Sequence, residues 1–322
     1  MGRKSLKKDG NPSAIDVATI AEFALVTVIW GSTWLVIKGQ LGNVPPVWSV
    51  AYRFAIAAGA LILFTVVTGR WRWLGWRGHG FALLIGVAQF ALNFNLVYAA
   101  ETRLPSGLVA LVFALLVIPN TILSAIFLKV PITQRFVLGA SLGVTGLLLL
   151  FAHDVVIPTA RSGAVFGLVM VSCAVVSASV ANVLQAGALA RSLPPLPTLA
   201  NAMTYGAIID AIFAFAIAGR PSIDARLEYW AGLAYLALAA SVIAFSVYYR
   251  LIRRIGPGPA AYTSVLVPVI ALSLSTVFEA YRWTFLSAGG AVLALVGLVI
   301  ALGGKSQKGT LVVPPDSLES SG

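Results

Sequence analysis

The sequence predicts an all-α membrane protein: ten transmembrane helices arranged as two inverted five-helix repeats around a central cavity. Three observations lead there. First, 59% of the 322 residues are apolar, only 10% are charged, and the mean hydropathy is +0.93. A soluble domain of this length carries far more charge. Second, the apolar residues fall in successive stretches of roughly twenty, the length a helix needs to cross a hydrocarbon core. Barrel strands would be about half as long and would alternate. Third, landmarks in the first half recur in the second at an offset of about 150 residues. Five spans per repeat is an odd number, so the second copy must enter the bilayer from the opposite face.

Taken in order, residues 1–16 are basic and polar and read as a cytoplasmic segment. The first apolar run, 17–37, is a full span, so no cleavable signal peptide is expected. It places Trp30, Trp34 and Lys38 four apart on one stripe. Pro45-Pro46 open helix 2, over 47–68, which holds Arg53 about two turns in. Helix 3, over 80–100, carries Gln89 with Asn93 on one face and Asn95 with Tyr98 on another. Helix 4, over 105–128, sets Phe113, Asn120 and Ser124 on one stripe and has Pro119 in its interior. Helix 5, over 136–152, carries Gly139, Gly143 and Gly146, the spacing that lets helix backbones touch. Packing within the chain is the preferred use of these glycines; a homodimer contact is the alternative. A linker at 153–162 ends the first repeat, 17–152.

The second repeat, 163–303, follows the same order. Helix 6, over 163–185, contains Cys173, the only cysteine. A single cysteine excludes an intramolecular disulfide and a thiolate metal site, and Cys173 reads as a core residue. Pro194-Pro195 precede helix 7, over 196–218, which carries Asp210 near its middle. Helix 8, over 229–249, has Ser241, Phe245, Tyr248 and Tyr249 on one stripe. Helix 9, over 258–278, begins with Tyr262, Thr263 and Ser264 and contains Pro268. Helix 10, over 285–303, carries Gly290 and Gly297. The tail, 304–322, is polar, contains Pro314-Pro315 and reads as a disordered cytoplasmic segment ending in an expression scar.

The matched landmarks are Pro45-Pro46 with Pro194-Pro195, Val97-Tyr98 with Val247-Tyr248, and Pro119 with Pro268. Thr133, Gly139 and Gly146 likewise answer to Thr284, Gly290 and Gly297. A proline inside a helix removes a hydrogen bond and clashes one turn back. Pro119 and Pro268 therefore predict bent helices, set either beside a wet cavity or against a neighbouring helix. The net charge of +11 is sorted by side. With ten spans, one face receives only Lys38, Arg103, Arg161, Arg220, Arg226 and Arg282. Arg53 lies within a helix, and the remaining basic residues share the face of the N-terminus. The positive-inside rule puts both termini in the cytoplasm of a bacterial inner-membrane protein. This sorted pattern argues for a membrane partner and against nucleic acid.

The stretch WGSTWLVIKGQLGNVPPVWSVAYRF, from Trp30 to Phe54, resembles the opening of a drug/metabolite transporter repeat of the EamA type. The stretch from Ser106 to Gly146 is similar to its second signature, and GPGPAAYTSVLVPVIALSLSTVFEAYRWTF resembles that signature more closely. The resemblance covers nearly all of 17–303. It implies ten helices, inverted repeats and export of small metabolites through a path formed by helices 3, 4, 8 and 9. The form SGLVALVFALLVIPNTILSAIF resembles the branch that exports amino acids, including aromatic ones. Two departures stand out. The family's glutamate at the end of helix 4 is replaced by Lys129, while Glu279 is kept, and Ser177 to Ser179 stand where helix 1 has Trp30 to Ser32.

Charges inside a membrane need a reason. Arg53 either pairs structurally or anchors a substrate carboxylate, for which a guanidinium fork is suited. Trp30, Trp34 and Lys38 line an outer vestibule or belong to the interfacial belt. Asp210 is the deepest acid and the candidate for proton coupling; its alternative is a protonated carboxyl donating one packing hydrogen bond. Glu22 and His79 read as interfacial groups. Asn93, Asn95, Tyr98, Phe113, Asn120, Phe245, Tyr248 and Tyr262 are candidate substrate-binding residues, since rings and amides suit a flat or aromatic zwitterion. Packing between helices is the competing use of the same side chains.

The expected function is secondary transport by alternating access: export of amino acids or similar small metabolites. Export of drugs or organic cations and uncoupled efflux are the alternatives. No enzyme activity, cofactor or metal is expected. The chain has two histidines and no His-Glu-x-x-His, no Gly-x-Ser-x-Gly elbow and no Walker sequence. The expected partners are a small-molecule substrate and the bilayer, with the chain a monomer or homodimer.

Overall fold

The computed structural model describes residues 17–156, 158–255 and 263–302, and among them it is helical without strands. Seven helices are long and apolar enough to cross a membrane. They are α1 (Val17–Gly39), α2 (Pro46–Val67), α3 (Gly75–Glu101), α4 (Ser106–Leu128), α6 (Gly163–Ala186), α7 (Pro195–Ala218) and α8 (Leu227–Tyr248). Three more are apolar but shorter: α5 (Gln134–Leu150), α9 (Val265–Phe278) and α10 (Phe285–Ala301). Helical backbone continues from α5 to Val156 and resumes at Pro158 ahead of α6, so the expected linker is largely helix. The N-terminal segment, the tail and Tyr262 lie outside the described residues.

The principal packing partners exchange when each helix is swapped for its counterpart five places on. α2 packs on α7, α4 on α9 and α5 on α10. α1 against α9 is answered by α6 against α4, and α1 against α8 by α6 against α3. α5 and α10 run antiparallel: Gly139 lies at Ala301, Gly143 at Gly297 and Gly146 at Ala294. A Cβ added at Gly139, Gly146, Gly290 or Gly297 would strike partner backbone. These glycines are thus used inside the chain, as small residues are where backbones touch. α3 and α7 run parallel, with Gly86 against Ala202 and Ala91 near Gly206.

Both halves share two local irregularities that the apolar pattern does not announce. α3 contains a π-helical segment at Gly86–Leu92 and α8 one at Tyr235–Ile243. Such wide turns are uncommon and leave carbonyls without their usual helical donors. One such carbonyl in each segment is met from the packed helix. Ser177 Oγ donates to the Ala88 carbonyl at 2.8 Å, and Trp30 Nε1 to that of Ala240 at 3.2 Å. Left-handed non-glycine residues also match: Lys129 (φ 59°) caps α4, and Ala280 (φ 53°) follows α9. This register makes Leu128, not Lys129, the positional counterpart of Glu279.

α4 is broken. Helix runs over Ser106–Ala114 and resumes at Val117–Leu128. The break at Leu115 lies four residues before Pro119, where a proline ring collides with the preceding turn. The Leu115 carbonyl is instead satisfied by the Ile118 N–H at 2.8 Å. The first piece is buried except at Phe113, and the second has no fully buried residue. Pro268, by contrast, sits inside the continuous helix Thr263–Phe278. Cys173 is exposed rather than in the core. It faces an open apolar groove of about 470 Å³ between α3 and α6, bordered by Val87, Leu92 and Val176.

Candidate functional site

Arg53 sits on α2 with 2% of its surface exposed, enclosed because Val50, Ala57 and Leu61 share its buried face. Its Nε donates to Ser241 Oγ at 3.2 Å, within the π segment of α8. The guanidinium lies 4.4 Å from the Phe94 ring centre and 5.2 Å from that of Phe54. Tyr98 and Glu101 of α3 stand beside it. Nη1 is buried with no hydrogen-bond partner among the described residues. Aromatic faces stabilise the cation without consuming its N–H donors, so one arm of the fork remains open to an acceptor.

Three of the rings singled out from the sequence, Trp30, Phe245 and Tyr248, meet in one aromatic cluster. Trp30 packs against Phe245 at 5.4 Å and Tyr248 at 4.9 Å. Phe245 reaches Phe90 at 5.9 Å, and Phe90 reaches Phe54 at 5.0 Å. Trp34 packs on Phe113 at 5.3 Å, is 9% exposed and has an indole N–H without a partner among the described residues. The cluster draws on α1, α2, α3 and α8, with Trp34–Phe113 a second pair between α1 and α4, and Arg53 joins the cluster through Phe54 and Phe94.

The amides divide among several tasks. Asn95 Nδ2 donates to Asp210 Oδ1 at 2.7 Å, joining α3 to α7. Asp210 is 1% exposed, and its other oxygen has no partner among the described residues. Asn93 Nδ2 bonds to the Gln89 carbonyl at 3.3 Å on its own helix. Asn120 lies apart from the aromatic cluster and accepts from Ser179 Oγ at 2.6 Å on α6. Tyr98 donates to Gln40 Oε1 at 3.2 Å, which ties α3 to α1.

At the outer end by the predicted topology, Lys38 Nζ donates to the carbonyls of Glu101 at 2.5 Å and Leu104 at 2.9 Å. Glu279 accepts from the Ser106 backbone N–H at 3.1 Å and from its hydroxyl, capping α4. Asp224 in the loop before α8 is gripped by Arg226 Nη2 at 2.6 Å. That side-chain hydrogen bond, joined by the Arg226 backbone N–H, holds its carboxyl below the usual aspartate range. At the opposite end Glu22 pairs with Arg250 at 3.1 Å. His79, half-buried, packs at a tilt against Trp73 at 4.2 Å, and its Nδ1 meets the Tyr205 hydroxyl at 2.8 Å.

Sequence reasoning missed Glu101 and Gln40, and gave Ser177 and Ser241 no part in the π segments. The expected end of helix 3 stopped one residue short of Glu101. Its only signal was an acid adjoining an apolar span in AAETRLP.

Among relatives, the chain is 27% identical over 287 residues to a protein of Escherichia coli K12 named probable amino-acid metabolite efflux pump, covering 86% of this chain and 92% of that one. It is 29% identical over 271 residues to the uncharacterized inner membrane transporter YedA of the same organism, covering 80% and 81%. One solved crystal structure superposes with a TM-score of 0.64 over 88% of this chain and 96% of the other, at 19% identity, a likeness of fold alone. The EamA-like transporter family matches residues 19–152 and 165–303. With both halves matched in order, the chain belongs to the EamA-like transporter family, within the drug/metabolite transporter superfamily.

Proposed function

We propose that this transporter exports amino acids, aromatic ones included, or similar small metabolites by alternating access. Ten membrane crossings form two inverted halves, with both termini in the cytoplasm of a bacterial inner membrane. The observation that carries the substrate class is Arg53: a buried guanidinium seated on aromatic rings, with an N–H arm left open. A carboxylate-bearing ligand with an apolar or aromatic side chain matches that pairing of groups. The names of the efflux-pump relatives support the same class. The antiparallel seating of α5 on α10 supports the inversion, because an in-plane twofold requires counterpart helices to run oppositely.

Asp210 is the coupling residue in this reading. It is buried between halves, held by one amide and free at its second oxygen. The test is efflux from liposomes loaded with labelled amino acids, with and without a pH gradient. Saturable flux of aromatic amino acids is expected. Flux confined to lipophilic cations would transfer the substrate to the organic-cation reading, which the buried acids Asp210 and Glu101 favour. Saturable flux indifferent to the gradient would make the protein a facilitator.

A further inference from the structure

Four charged side chains cluster where the outer ends of α1, α2, α3 and α9 meet: Lys38, Arg53, Glu101 and Glu279. Two are neutralised by helix ends. Lys38 donates to the last carbonyls around the α3 C-terminus, where the helix dipole favours a cation. Glu279 accepts from the first N–H and hydroxyl of α4, where it favours an anion. The other two are left over. Arg53 keeps an unpartnered Nη1, and Glu101, fully buried, has both carboxylate oxygens without a hydrogen-bond partner among the described residues. Arg53 is one of the charges that act on Glu101, after Lys38 and Glu279, and the two form no ion pair among the described residues.

A buried guanidinium and a buried acid, each with polar atoms left without a hydrogen-bond partner among the described residues, are unfavourable unless something completes both. A single ion would complete one end and repel the other. A dipolar group of opposite polarity completes both. We propose that Arg53 and Glu101 form a subsite for the zwitterionic head of an α-amino acid, the guanidinium taking its carboxylate and Glu101 its ammonium group. This rests on the amino-acid export reading and adds the residue that selects the amine. The cluster is charge-balanced before and after a zwitterion enters, so binding brings no net charge into the membrane interior. Phe94 and Tyr98, which flank the guanidinium, supply ring surface for the ligand's side chain. Both charged groups are closed off from solvent here, so entry requires the helices around them to part.

The test uses the full chain purified in detergent, with L-phenylalanine as the probe. It is compared with N-acetyl-L-phenylalanine, L-phenylalanine methyl ester, 3-phenylpropionate and phenethylamine. Blocking or removing either end is expected to weaken binding to the wild type about tenfold or more. Glu101→Gln should weaken L-phenylalanine to a similar degree while leaving 3-phenylpropionate unchanged. Arg53→Gln should do the converse, sparing phenethylamine. Glu101→Asp and Arg53→Lys serve where a neutral variant does not fold, and the wild-type ligand series decides by itself if all four fail. Equal wild-type binding of the ester or the N-acetyl form, or full preference for the free amine in Glu101→Gln, would overturn the subsite while amino-acid export stood. A wild type that neither binds nor moves any amino acid would remove the export reading and the subsite with it.

Discussion

Asn95 and Asp210 form a side-chain hydrogen bond from α3 to an acid of the second half, and each can be changed without deleting the other. Asp210→Asn keeps an acceptor at Oδ1 and removes the ionisable group. The expected outcome is an intact, folded transporter whose exchange flux persists and whose gradient-driven flux is lost. Paired exchange and gradient assays in liposomes check this. Unchanged gradient-driven flux would leave Asp210 a packing group. Asp224 gives a prediction of a different kind. Arg226 depresses its carboxyl in the folded protein, so the stabilisation is present above the unfolded aspartate value and is lost as pH falls through the folded one. The thermal stability gap between wild type and Asp224→Asn should therefore be open at pH 7 and close as pH drops below about 4. With Arg226 half exposed, the gap is expected to be small.

The α5–α10 contact isolates what a helix pair contributes. Gly289 and Gly290 are neighbours, yet a Cβ at Gly289 meets nothing within 4 Å, whereas at Gly290 it collides with Gly146 and Leu150 backbone. Gly289→Ala should be neutral or stabilising by up to about 1 kcal/mol, the intrinsic helix preference. Gly290→Ala should destabilise by about 1–3 kcal/mol as an overpacked contact. Unfolding midpoints of the two variants in one detergent make the comparison. A null effect at Gly290 would mean the two helices part readily. The π segments are the other element-scale device. Ser177 and Trp30, at corresponding places in α6 and α1, each donate to a carbonyl freed by a wide turn in the opposite half. Different residues thus meet the same backbone need, because a hydroxyl and an indole N–H are both donors.

At the scale of the molecule, the halves are joined by matched helix pairs whose directions fit an in-plane twofold. Single cysteines at Arg72 and Arg220, in a Cys173→Ala background, should label from opposite sides of oriented vesicles. Both positions are exposed in the structure. Labelling from one side would remove the inversion and the export direction that depends on it. The bundle is also uneven across its thickness. The first piece of α4 is buried, with Glu279 fastened to its start, whereas its second piece, beyond the break before Pro119, holds no fully buried residue. Parting of the halves at the fastened end requires that cap to release.

The helical class, the membrane setting and the twofold repeat were legible in the chain because each depends on a one-dimensional signal: run length, charge sorting or a fixed offset. Arg53, Asp210 and the ring positions were legible for a related reason, since a charge or polar ring in an apolar span is conspicuous. Their pairings were not. Which oxygen Asn95 meets, and that Cys173 faces outward, follow from rotation about helix axes. Two π segments shift that rotation partway along α3 and α8 without changing composition. Glu101, next to the expected end of helix 3, is fully buried, with Lys38 of α1 on its carbonyl. Burial is a property of neighbours, and in this protein those neighbours come from distant parts of the chain.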